Sequence, residues 1–181
     1  WNTIHKIAHL KDKLKFVPPE LEELESAIAD IYYSNFSVFQ SIPDSWAIDQ
    51  LFPVMPIHRL LEFPKVNGII ADITCDCDGK LDRFIDLHDV KSTLPLHELK
   101  KEDYYIGVFL VGAYQETLGD LHNLFGDTNV VSVSIKKDGT YDLVNEIHGD
   151  SVEDVLSYVE FDVKQMRTQF RKSAEEAVKN G

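Results

Sequence analysis

The chain begins and ends with helical periodicity and alternates in between. Residues 1–16 place Ile4, Ile7, Ala8, Leu10 and Leu14 on one stripe, with Lys and His opposite, until Val17-Pro18-Pro19 interrupts it. Pro19 suits the first turn of a second helix whose apolar face is Leu21, Leu24, Ala27, Ile28 and Ile31. Glu20, Glu22 and Glu23 complement the positive end of that helix. From Tyr32 the pattern changes. Tyr33–Phe39 alternates as a half-buried strand does, and further strands are predicted at Ile48–Val54, Gly68–Thr74, Arg83–Leu87, Tyr104–Val111, Val130–Lys136 and Tyr141–Glu146. Lys137-Asp138-Gly139-Thr140 is a hairpin turn signal between the last two. Helix returns at the end, with Ser151 as N-cap before Val155, Leu156 and Val159. Asp162 and Gln165 resemble a capping box before Val163, Met166, Phe170, Ala174 and Ala177. Many short strands without regular helical alternation predict an α+β chain. Its expected form is an antiparallel β-sandwich or open barrel, an N-terminal helical segment (1–31), and a β-domain with flanking helices (32–181).

Composition narrows the function classes. A 44% hydrophobic content with 10% aromatics suits a packed protein rather than a disordered one. The net charge of −13 and pI near 4.8 argue against a nucleic-acid or anionic-membrane surface. Two cysteines one residue apart, with no others, leave no disulfide framework and fit a reducing cytosol. The start Trp1-Asn2-Thr3 carries no signal-like pattern, and no apolar run approaches the ~18–20 residues of a membrane span. The chain therefore reads as soluble and cytoplasmic. The missing initiator Met reads as a fragment or a trimmed chain.

Candidate chemistry concentrates in Asp72-Ile73-Thr74-Cys75-Asp76-Cys77-Asp78-Gly79, where an apolar run breaks into an Asp-Gly turn. A cysteine is often only a small buried hydrophobe, and neighbouring aspartates oppose thiolate formation unless a cation is near. The Cys-Asp-Cys-Asp run also offers metal ligands. However, adjacent strand residues point to opposite faces, and a closed zinc shell needs four converging ligands. Gly112-Ala113-Tyr114 follows the apolar strand 106–111. It reads either as close backbone approach to a ligand with a phenol donor, or as a strand-to-helix junction with a packed aromatic. His122, Asn123 and Phe125 read either as cavity lining or as a helix end closed by Gly126. His5 and His9 lie one helical turn apart without an evident third ligand, and Lys80 reads as solvated.

Taken together, these runs resemble the C-terminal region of the biosynthetic, bacterial-type arginine decarboxylases, relatives of the ornithine and diaminopimelate decarboxylases. The resemblance runs from about Ala29 to Arg171. It is carried by Asn35–Ser41, Asp49–Val54, Asp72–Asp76, Gly112–Glu116, His122–Asp127 and Gln169–Arg171. It implies a pyridoxal-phosphate (PLP) enzyme that converts L-arginine to agmatine and carbon dioxide in polyamine biosynthesis, with Mg2+ as a further family expectation. It also implies that Cys75 faces the substrate Cα and governs its protonation, that Asp76, with Asp78, reaches the guanidinium, and that Tyr114 binds the cofactor phosphate. The active site is implied to lie at an interface of a homodimer or higher homo-oligomer. There the present region meets a TIM-like barrel that carries the cofactor lysine upstream of Trp1. Residues 1–31 would then be the end of a helical insertion, and these 181 residues alone would be inactive. A non-catalytic dimerisation or ligand-binding β-domain, and a decarboxylase for another basic amino acid, are the alternatives.

Overall fold

A computed structural model describes residues 6–7, 24 and 27–181, except 88. Most of the predicted helix over 1–16, with the His5/His9 pair, lies outside the described residues, as does most of the second helix. Two compact units are formed, up to Asp120 and from Leu121.

In the first unit, β1 (Asp30–Tyr33), β3 (Val66–Ala71), β4 (Lys80–Leu81) and β7 (Leu94–Leu96) make one sheet with β3 at its centre. β1 lies parallel on one edge of β3, in register Asp30↔Gly68 to Tyr33↔Ala71. β4 and β7 share the other edge, both antiparallel. Two small antiparallel pairs accompany this sheet: β2 (Val54–Pro56) with β8 (Ile106–Val108), and β5 (Phe84–Ile85) with β6 (Val90–Lys91). The unit is thus α+β with mixed pairing, not the antiparallel arrangement that alternation predicts. Period-2 alternation reports which face of a strand is buried but not the direction of its neighbour. A parallel partner needs only a long enough crossover, here residues 34–65. Ile31, assigned by periodicity to a helix, belongs to β1.

Two short helices lie in that crossover, α1 (Val38–Ser41), which begins inside the strand predicted over 33–39, and α2 (Pro43–Ala47). Ser37 decides the difference. Its side chain caps α1 by accepting the Gln40 N–H at 3.2 Å, and Val38 turns fully inward. Tyr32, Val38, Ile42, Phe52, Ile70, Leu81, Phe84, Leu94 and Leu96 form the core. Each fully buried aliphatic or aromatic side chain contributes about 1.5–3 kcal/mol relative to exposure. Gly68 is dictated by close packing: a Cβ there would lie 2.9 Å from Leu96 Cδ1 and 3.0 Å from the Asp30 carbonyl oxygen.

α3 (Ala113–Leu118) closes the first unit. The second unit contains the hairpin β9 (Val130–Ile135) and β10 (Tyr141–Ile147), then α4 (Val152–Tyr158) and α5 (Val163–Asn180). The predicted turn forms as read. Gly139 takes φ +83°, Gly139 N–H donates to the Lys136 carbonyl at 3.0 Å, and Lys136 N–H donates to the Thr140 carbonyl at 2.8 Å. Ser151 and Asp162 cap α4 and α5 as expected. The run 122–126 forms no helix end. Asn123 and Leu124 are left-handed at φ +50° and +61°, and His122 bridges Phe125. No helix of the described residues is long and apolar enough to cross a membrane.

Candidate functional site

Residues 72–79 form the loop that joins β3 to β4, and a buried carboxylate builds it. Asp72 is only 3% exposed. One of its oxygens accepts the Thr74 N–H at 2.9 Å and the Thr74 hydroxyl at 2.7 Å. The other accepts the Val38 N–H at 2.9 Å, from the first residue of α1. Asp72 N–H donates to the Gly79 carbonyl at 2.8 Å, which closes the neck, and Gly79 N–H donates to the Asp76 carbonyl at 3.1 Å, which makes the inner turn. A Cβ at Gly79 would overlap the Asp72 carboxylate, so the neck admits only glycine there. Ile73 N–H donates to the Phe36 carbonyl at 3.0 Å, tying the loop to the segment before α1 a second time.

The consequence is an outward-facing tip. Cys75, Asp76, Cys77 and Asp78 are all exposed, and neither cysteine is in a disulfide. The possibility that Cys75 is a packed core thiol is thereby removed. Lys80 donates to Asp82 at 2.7 Å, and this bond holds its ammonium above the usual lysine range; it is partly solvated, as the sequence implied. Among the described residues no group of three or more His, Cys, Asp or Glu converges to hold a metal ion.

Tyr114 lies in the first turn of α3 and is 78% exposed. It is not the packed aromatic of a junction. The next residue provides the anchor. Gln115 is 4% exposed; its carbonyl oxygen accepts the Asp44 N–H at 3.0 Å, and its amide donates to the Asp44 carboxylate at 2.5 Å. Gln115 buried and Tyr114 exposed on consecutive positions fix which way the phenol points. Beyond the helix, a Cβ on Gly119 would overlap the Gln40 carbonyl oxygen, so α3 ends hard against α1. Around Gly112 nothing lies within 4 Å of where a Cβ would sit. An exposed phenol donor beside open backbone fits a phosphate group.

A cavity of about 760 Å³ lies elsewhere in this unit, against Asn35, Phe36, Ser41, Tyr104 and Ile106; neither Cys75 nor Tyr114 lines it. His122, Asn123 and Phe125 belong to the second unit. Asp72 and Gln115 are the two buried polar anchors of the candidate site that sequence patterns did not single out. Asp72 carried a usable signal, since Asp-x-Thr before a turn favours side-chain-to-backbone bonding. Gln115 carried none.

The comparisons agree along the whole length. Residues 152–181 match the family model described as the arginine decarboxylase C-terminal helical extension. The biosynthetic arginine decarboxylase of Gloeobacter violaceus is 53% identical over 99% of this chain and 29% of its own length. That of Nostoc sp. is 54% identical over 98% of this chain and 26% of its own. This chain corresponds to the C-terminal part of biosynthetic arginine decarboxylases. The crystal structure of the biosynthetic arginine decarboxylase SpeA from Campylobacter jejuni matches 94% of it with a TM-score of 0.68 and 33% identity, over 31% of that chain. The chain therefore spans under a third of the arginine decarboxylases it matches. The matched span, 98–99% of this chain in those two relatives, takes in both units described here.

Proposed function

We propose that the complete polypeptide carrying this chain is a PLP-dependent arginine decarboxylase that forms agmatine and carbon dioxide in cytoplasmic polyamine biosynthesis. This region then contributes one wall of an active site that the remainder of the chain, a barrel, and a second copy in a dimer complete. Its L-arginine specificity rests on Asp76 and Asp78. A carboxylate matches the guanidinium fork with two parallel, charge-assisted hydrogen bonds. Tyr114 donates its hydroxyl to a cofactor phosphate oxygen. Pyridoxal phosphate, when bound, supplies the electron sink for the pair left as carbon dioxide departs. No residue here is assigned to Mg2+.

In this reading Cys75 holds a proton at Sγ and delivers it to the substrate Cα, and the rigid neck at Asp72 sets the direction of delivery. The observation that carries the reading is the construction of the loop: two thiols and two carboxylates stand exposed on a tip whose neck is tied by a buried aspartate. Such a loop serves something outside it. The test is Cys75→Ala in the complete polypeptide, following arginine-dependent carbon dioxide and agmatine release. Turnover should fall by at least ~100-fold, the usual worth of a positioned proton donor, while the cofactor's absorbance is retained. Near-normal agmatine formation by that variant would refute the assignment.

A further inference from the structure

A continuous set of contacts joins Asp72 to α3. The Asp72 carboxylate holds the N-terminus of α1 through Val38 N–H at 2.9 Å. α1 is four residues long and is followed at once by α2, with Ile42 N–H donating back to the Val38 carbonyl at 3.0 Å. The α1 carbonyl at Gln40 presses on Gly119, the C-cap of α3. Asp44 of α2 grips Gln115 through both its backbone N–H and its carboxylate. So little helix lies between these bonds that α1 and α2 have no slack to absorb a shift at either end.

We propose that Asp72 is a positioning residue for both arms of the site at once. The same carboxylate that shapes the Cys75 loop also registers, through α1 and α2, the helix that presents Tyr114. The functional meaning of this coupling rests on the decarboxylase reading above; the coupling itself does not. Coupling between two sites is reciprocal, so disturbing either end must be felt at the other. A purely local structural role for Asp72 makes no such demand.

The experiment uses the complete polypeptide and two substitutions, one at each end. Asp72→Asn keeps an acceptor oxygen but cannot accept at both positions. Gly119→Ala inserts a methyl against the Gln40 carbonyl, at a backbone conformation that alanine adopts readily. Hydrogen exchange by mass spectrometry follows residues 73–79 and 112–118, and pyridoxal phosphate is titrated into the apoenzyme. Asp72→Asn should speed exchange in both segments by about fivefold or more and weaken the cofactor by a similar factor. Gly119→Ala should likewise speed exchange in the loop 73–79. If Asp72→Asn loosens 73–79 only, with 112–118 and cofactor affinity unchanged, the proposal is overturned. If Asp72→Asn does not fold, Gly119→Ala decides alone, and an unaffected loop in that variant overturns the proposal equally. Because exchange is read without turnover, a complete polypeptide that releases no carbon dioxide from arginine would remove the decarboxylase reading and leave this coupling to its own result.

Discussion

Tyr104 and His97 hold each other twice. The His97 backbone N–H donates to the Tyr104 hydroxyl at 3.1 Å, and that hydroxyl lies 2.7 Å from His97 Nδ1. His97 Nε2 sits 2.9 Å from the Glu62 carbonyl oxygen, which can only accept. Nε2 therefore carries hydrogen toward Glu62, and in the neutral ring Nδ1 accepts from Tyr104. The His97 carbonyl in turn accepts the Tyr32 hydroxyl at 2.9 Å, and burial pushes that phenol's pKa up. Tyr104→Phe strands two polar groups of a residue only 5% exposed. The expected loss is about 1–3 kcal/mol, read as a lowered melting temperature of the complete polypeptide. A melting temperature equal to the parent's would show the pair to be dispensable.

The two carboxylates on the loop tip should divide substrate recognition from chemistry. Removing one partner of a charge-assisted pair costs about 1.5–3 kcal/mol, so Asp76→Ala should raise the KM for arginine by about tenfold or more. Asp78→Ala should act in the same direction, and the double variant should lose discrimination between arginine and its uncharged analogue citrulline. Steady-state kinetics decides this. An unchanged KM in both single variants would move guanidinium recognition to another part of the enzyme.

Glu62 titrates far from the ordinary glutamate range. The side-chain hydrogen bond from Arg59, at 2.5 Å, holds its pKa down to about 2, with Lys100 adding attraction from 3.8 Å. A depressed carboxyl pKa means that the pair is fully formed above the ordinary value of 4.5 and is lost as pH falls toward 2. Arg59→Met should return Glu62 to the ordinary range, seen as its carboxyl carbon shift moving through a normal titration. A Glu62 that still titrates near 2 without Arg59 would assign the depression to another cause.

α4 starts on a reciprocal cap. Ser151 Oγ accepts the Asp154 N–H at 3.2 Å, and the Asp154 carboxylate accepts the Ser151 N–H at 2.9 Å. The Ser151 hydroxyl and backbone bonds together lower the Asp154 pKa. Ser151→Ala should cost about 1 kcal/mol of local stability, read as faster hydrogen exchange over residues 152–158. Acidification through the depressed Asp154 pKa should loosen the same turn, because the box is complete only while that carboxylate is charged. Equal exchange in parent and variant would show that the cap does not govern the start of α4.

Features set by near neighbours were legible in the sequence. The β9–β10 hairpin follows from Asp138-Gly139, where only a residue at ease with positive φ turns the chain, and the caps at Ser151 and Asp162 follow from side chains reaching three residues ahead. Positions 33–39 failed for the opposite reason. Their alternation suits a strand, but the Ser37 cap is joined by an acceptor from Asp72, 34 residues beyond Val38, and together they make Val38 the start of a helix. The parallel pairing of β1 with β3 was hidden in the same way, because it depends on the length of a crossover and not on either strand. At the site, the exposed tip was readable as chemistry out of place in a core. Asp72 carried only the local Asp-x-Thr signal for bonding nearby backbone; its burial is what separates it from Asp76 and Asp78 as the support of the loop.

The division of labour within loop 72–79 has a consequence for how specificity can change. The bonds that shape the loop run through backbone atoms, Asp72 and Thr74, with Gly79 leaving the space, while the side chains at 75–78 face outward. Replacing the charges on those outward positions leaves the described neck bonds in place. On the proposed reading, a fold so arranged lets natural selection retune which substrate end is recognised, through the carboxylates of the tip, without first having to repair the framework beneath.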